Sequence, residues 1–279
     1  MTYSALMAVV DDAQSNGDWE AARDLLEVVR NRQRQARQRL RDSASIAPTQ
    51  EMQEDPYILQ RLALATYKAA APDAAAPLVA ARALLASQNP ATSNDTETLG
   101  LWGAIHKRIW ELAKRTAGGA PVAPEAWPAL DESIRAYERG FYLKNDEYNG
   151  INFAYMLNVR AAEMLSSAEA IADFVQAKRV RQEVVDICNE WLATHAPAAG
   201  PTNAPSPEAR QGLAAKRYWM LATKAEALLG MGDEDLANAV LQEAHALNPH
   251  AWMKGTTETQ FTKLRHLLEA NPLQFAARG

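Results

Sequence analysis

His106 lies four residues after Trp102 and four before Trp110, so on a helix the three rings fall along one stripe. An imidazole exchanges protons near neutral pH. With an amide such as Asn152 to hold a carbonyl, it would supply the rudiments of a hydrolase or nucleotide-handling pocket. The same spacing equally describes a histidine packed between indoles and satisfied by hydrogen bonds, and the rest of the chain favours that reading. There is no Gly-x-Ser-x-Gly elbow, Walker phosphate loop, dinucleotide fingerprint or His-Glu-x-x-His. His245 and His250 are too isolated for metal-ligand spacing, and Glu132, Glu138 and Glu147 read as helix-surface charges without matched partners. Cys188 shares an apolar stripe with Val184, Ile187 and Trp191, as a small core residue would, rather than a nucleophile. No catalytic residue, metal or cofactor is expected.

The other concentration of chemistry is cationic. Arg30 to Arg41 carries six arginines within one helical stretch. Arg34, Arg37 and Arg41 form either a patch for phosphate or an acidic partner, or a solvated helix end whose cations suit the helix dipole. A nucleic-acid footprint is not expected: the net charge is -5, and no aromatic side chains interleave with the arginines to stack on bases. Nucleic-acid binding there would have to weaken steeply with salt. At 279 residues and 48% hydrophobic content the chain can bury a core without disulfide staples, and its single cysteine favours a reducing compartment. Asp11 and Asp12 stand where a signal peptide would be basic and then apolar, and no apolar run approaches membrane-spanning length. A cytoplasmic protein with no membrane contact is expected.

The elements that must position these groups are helical, because no segment alternates at period two. The apolar spacing predicts helices over Tyr3 to Ser15 and Asp18 to Arg41, hinged at Asn16-Gly17, then a polar stretch from Asp42 to Glu54. Asp55-Pro56 starts the next helix with a capping carboxylate and a first-position proline; it runs to about Ala71. Its partner begins at Pro72-Asp73 and ends near Gln88-Asn89-Pro90. Further helices are expected over Asp95 to Arg115, Pro128 to Tyr142 and Tyr148 to Leu165. From Ser166, whose spacing to Glu169 suits a capping box, one runs to His195. Others cover Ser206 to Gly230, the segment closing at Asn248-Pro249, and Thr257 to Ala270. The count is eleven, with irregular loops near 42–54, 117–126 and 196–206, in one array over 1–279.

A phrase recurs in register through these helices. Met231-Gly232-Asp233 is followed by Ala237, Leu241, Ala244 and Pro249; Asn16-Gly17-Asp18-Trp19 by Ala22 and Leu26. Leu99, Trp102, Gly103 and His106 fit the first helix of such a unit, and Ser133, Tyr137, Gly140 and Asn145 the second. This spacing resembles the tetratricopeptide repeat, in which a small residue sits where two helices cross and proline closes the unit. The resemblance implies an all-α superhelix of helical hairpins, an α-solenoid whose first helices line the concave side. Glu97 to Trp110, Tyr137-Glu-Arg-Gly-Phe141 and Tyr148 to Ala154 also resemble the TRAFs-binding region of apoptosis-signal-regulating kinases. That likeness is best over Asp55 to Arg160 and weaker to Ala270. It implies a regulatory helical array that contacts adaptor proteins; the kinase signatures themselves are absent. The Ala-rich, Pro-interrupted sequence has a bacterial character.

Such arrays bind a protein or peptide segment in their groove. Asn149, Asn152, Met156 and Val159 are expected to share the groove face of one helix, with Asn152 offering an amide to a peptide backbone or satisfying a turn carbonyl. Trp219, Glu226 and Leu229 are expected to face the same side from another helix, with Trp219 as anchor or as ordinary core. A non-catalytic scaffold in signalling, stress response or defence is the leading reading.

Overall fold

A computed structural model describes residues 2–43, 54–69, 74–164, 167–195 and 207–276. Among these the secondary structure is helical throughout. In chain order the helices are α1 (Tyr3–Ser15), α2 (Trp19–Asp42), α3 (Pro56–Lys68), α4 (Ala75–Ala86), α5 (Thr96–Ala117), α6 (Trp127–Lys144), α7 (Glu147–Glu163), α8 (Ala168–Thr194), α9 (Pro207–Met231), α10 (Glu234–His245), α11 (Ala251–Glu269) and the short α12 (Leu273–Ala276). The all-α hairpin architecture is as expected. The polar stretches 44–53 and 196–206, the Pro72-Asp73 start and Ser166 lie outside the described residues.

Short polar side chains set the helix starts by satisfying backbone N–H groups that have no partner inside the helix. Asp18 accepts from the Ala21 amide at 3.1 Å, Asp55 from Tyr57 at 3.1 Å, Asp95 from Thr98 at 3.1 Å and Asp146 from Asn149 at 2.8 Å. Ser167 caps α8 by accepting from Ala170 at 3.1 Å, one residue later than the expected cap. Turns are marked by left-handed residues. Gly17 and Gly232, with φ of 77° and 104°, separate α1 from α2 and α9 from α10. Asn89, Asn145 and Asn248, with φ of 48°, 50° and 51°, precede α5, α7 and α11. Asparagine tolerates this conformation because its amide can bond locally.

The chain divides into two compact units, Met1–Ala136 and Tyr137–Gly279. In the first, α1 packs on α2, α2 on α3, α3 on α4, and α3 and α4 on α5. Leu6, Met7, Val10 and Ala13 of α1 meet Ala22, Leu26 and Val29 of α2 and Ile58, Leu62 and Ala65 of α3 in one buried cluster. Each fully buried leucine or isoleucine there contributes about 1.5–3 kcal/mol. Ala22 and Leu26 are both fully buried, as the repeat spacing requires. The small Gly103 lets α6 approach α5 closely enough for the buried Ser133 hydroxyl to donate to the Gly103 carbonyl at 2.9 Å.

In the second unit α7 and α8 form one hairpin and α9 and α10 another, with α8 against α9; the first helices α7, α9 and α11 also touch one another. Close approach is again secured by glycine. A Cβ at Gly150 would lie 2.7 Å from ring carbon Cδ2 of Phe141 and 2.7 Å from a methyl of Val184. Repeat positions Tyr137, Ala237 and Ala244 are fully buried.

Candidate partner-binding site

Trp219 and Glu226 are seven residues apart on α9, two turns along one face. Both are partly buried. The Trp219 ring sits 5.1 Å from Tyr218 and 5.9 Å from Trp252 of α11, tilted by 46° to the latter. Two turns on, the Glu226 carboxylate accepts from Gln260 Nε2 of α11 at 2.8 Å. The two helices are locked beneath this stripe by a buried 2.8 Å hydrogen bond between the Tyr218 and Thr257 hydroxyls. The result is a rigid strip with a pair of indoles at one end and a carboxylate–amide pair at the other. It can hold an apolar side chain and accept N–H donors.

Arg181 of α8 stands behind the end of α9. It is fully buried, and its Nη1 donates to the Gly230 carbonyl at 3.4 Å. Burial lowers the guanidinium to about 10, against the pull of the Glu226 carboxylate. The cation faces the Gly230 carbonyl in the last turn of α9, the negative end of the helix dipole. It braces the helix that carries Trp219 and Glu226.

The expected open face of α7 is corrected by the structure. Met156 is fully buried and Asn149 is 1% exposed. The Asn149 side chain lies over Gly140, where a Cβ would come within 2.6 Å of its Cγ. α7 packs against α8, α9 and α11, so residues Ile151 and Phe153 to Asn158 are buried almost all round, Asn149 and Met156 with them. Of the four α7 residues, Asn152 and Val159 are partly exposed, and the Asn152 Nδ2 donates to the Tyr148 carbonyl at 2.9 Å.

His106 also departs from expectation. It is buried at 7% exposure with its ring 4.7 Å from Trp102, but neither ring nitrogen has a hydrogen-bond partner among the described residues. Desolvation lowers its pKa to about 4, opposed by Glu132, whose carboxylate accepts from Trp102 Nε1 at 2.8 Å. It is a neutral packing group, and it belongs to the first unit whereas Asn152 belongs to the second. Cys188 is fully buried, with desolvation pushing its thiol up to about 12. Among the described residues no three His, Cys, Asp or Glu side chains gather as a metal site, and no helix is long and apolar enough to cross a membrane.

The basic stripe is a shaped feature. Arg34, Arg37 and Arg41 of α2, with Gln38 and Glu54, line an open cavity of about 330 Å³.

Comparison with known families then places the fold. A family model described as Tetratricopeptide Repeats-Sensor, TPR-S, matches residues 18–157, half of the chain. The chain belongs to the TPR-S family. No curated protein and no solved structure matches it. The matched TPR-S span runs from the cap of α2 into α7, and so contains the arginine stripe, His106, Asn149, Asn152 and Met156. Trp219 and Glu226 lie beyond it. Trp252 and Gln260 complete the indole and amide pairs, yet sequence reasoning missed both. Trp252 fell outside the helix expected over Thr257 to Ala270, which in the structure begins at Ala251, and Gln260 lay within it with no periodic link to α9. Lys68 was missed too. It sits 5.1 Å above the Trp19 ring, and burial and Arg108 lower it to about 8.

Proposed function

We propose that this TPR-S chain is a non-catalytic module that binds a protein segment on the α9/α11 strip of its second unit and reports that occupancy to a regulatory assembly. The observation that carries the reading is the paired arrangement of Trp219 with Trp252 and Glu226 with Gln260, a preorganised aromatic anchor beside a polar clamp. Partly exposed tryptophans on rigid helices bury large area at little entropic cost. The family description, a repeat sensor, supports recognition rather than turnover. The likeness to the TRAFs-binding region supports a regulatory role in signalling, stress response or defence. Asn152 lies on α7, a first helix that packs against both α9 and α11.

Affinity capture from the native host, using the full chain against Trp219→Ala and Glu226→Gln variants, tests the reading. Removing a central aromatic anchor costs about 2 kcal/mol or more, or about 30-fold in affinity. The specifically captured proteins should therefore fall away with Trp219→Ala, in a variant whose circular dichroism is unchanged. Recovery of the same proteins at the same level by both variants would refute the assignment.

A further inference from the structure

Arg30, Arg34, Arg37 and Arg41 follow one another at helical spacings of four, three and four, so their guanidiniums rise along a single edge of α2. One carboxylate already occupies the lower end. Glu54, the residue before the α3 cap, receives two parallel bonds from Arg30, at 2.9 and 2.8 Å, and two from Arg34, at 2.7 and 3.1 Å. This is the fork geometry in which guanidinium recognises planar or tetrahedral oxyanions. The arrangement holds Glu54 ionised, with its pKa lowered to about 2.

Above Glu54 the groove stays open, and Arg37 and Arg41 flank its upper part with Gln38 between them. Arg37 is steadied by its own helix, with Nε donating to the Gln33 carbonyl at 3.3 Å. Arg41 has no carboxylate partner among the described residues. Gln38 is turned to Asp42, donating at 2.8 Å. Arg30 and Arg34 share the one Glu54 carboxylate, and Arg41 adds a further cation, so among the described residues this edge of α2 carries an imbalance toward positive charge. A monoanion leaves that imbalance; a dianion with several oxygens in a tetrahedron satisfies more donors at once. Among the described residues no aromatic side chain lines the groove, so none of them stacks on a nucleobase there.

We propose that this groove is a binding site for a phosphate monoester dianion, held by Arg34, Arg37 and Arg41, with Glu54 as the built-in competitor for Arg34. The site lies wholly in the first unit and is independent of the α9/α11 strip. The phosphoryl group can come from a small phosphate compound or from a phosphorylated side chain of a peptide. The cavity, about 330 Å³ and open to solvent, admits either.

Calorimetric titration of the full chain at fixed ionic strength tests the site, with four probes: inorganic phosphate, pyrophosphate, a short phosphoserine peptide, and the same peptide unphosphorylated. Binding of the phosphorylated probes over the unphosphorylated peptide is expected. The double substitution Arg37→Gln, Arg41→Gln should weaken it about tenfold or more, and raised salt should weaken it further. Glu54→Gln should tighten it several-fold, because the competing carboxylate is gone; a site of mere surface charge would not respond so strongly to a single neutral substitution. Equal affinity for pyrophosphate and phosphopeptide assigns the source to small phosphates, and preference for the peptide assigns it to a phosphorylated protein. Absence of phosphate-dependent binding in both the natural chain and Glu54→Gln overturns the proposal. So does binding that Arg37→Gln, Arg41→Gln leaves unchanged in a protein with unaltered circular dichroism.

Discussion

The close packing of the second unit makes an opposed pair of glycine substitutions informative. In an open helical position Gly→Ala stabilises, because alanine is about 1 kcal/mol better in a helix interior. Gly255 of α11 is such a position, since nothing lies within 4 Å of where its Cβ would be. At Gly150 of α7 the same methyl would stand 2.7 Å from Phe141 and from Val184, both fully buried. Ordinary contact needs a separation nearer 3.5–4.0 Å, so both neighbours must retreat by close to an ångström in a core that has no room. Overpacking of that kind costs about 1–3 kcal/mol. Set against the propensity gain, Gly150→Ala should destabilise by up to about 2 kcal/mol, while Gly255→Ala should stabilise by about 0.5–1 kcal/mol. Urea unfolding followed by far-ultraviolet circular dichroism reads both, as midpoint shifts of opposite sign. Two shifts of the same sign, or a stabilised Gly150→Ala, would refute the claim that α6, α7 and α8 are held together through that glycine.

Two acid-sensitive groups in the first unit should separate by pH window. His106 has its folded pKa lowered from 6.5 to about 4, so the unfolded chain takes up the proton first. Stability should therefore fall as pH drops from 6.5 toward 4, by at most about 3 kcal/mol, and His106→Phe should flatten that part of a urea-midpoint profile. Glu54 is lowered from 4.5 to about 2, so its contribution is present above 4.5 and is lost as pH falls toward 2; Glu54→Gln should remove the loss in that lower window. In the second unit, Arg160 grips the largely buried Asp173 through bonds of 2.7 and 2.9 Å. Arg160→Gln strands that carboxylate and should cost about 3 kcal/mol in urea unfolding, and more than Asp173→Asn.

Local physics was legible in the sequence, and non-local physics was not. α1 has the expected ends, and Asp18, Asp55 and Asp95 stand at the starts assigned to them, because capping is settled within three residues. The repeat spacing led correctly to buried Ala22, Leu26 and Ala237. The face of α7 was misjudged because Asn149 looks polar in sequence, while its burial depends on Gly140 and on neighbours from three other helices. Trp219 was picked out, but its partner Trp252 arrives from α11, whose first turns begin at Ala251, ahead of the expected Thr257 start. The arginines were equally visible. That Glu54, twenty positions beyond Arg34, would chelate two of them was not, since no periodicity links α2 to the residue before α3.

The sealed sulfur of Cys188 has a practical consequence. A thiol that stays protonated well past neutrality inside the core neither alkylates nor oxidises at a useful rate. An added cysteine, such as Glu190→Cys on the solvent side of the same helix, would carry a dye or spin label selectively, with the native residue left in place.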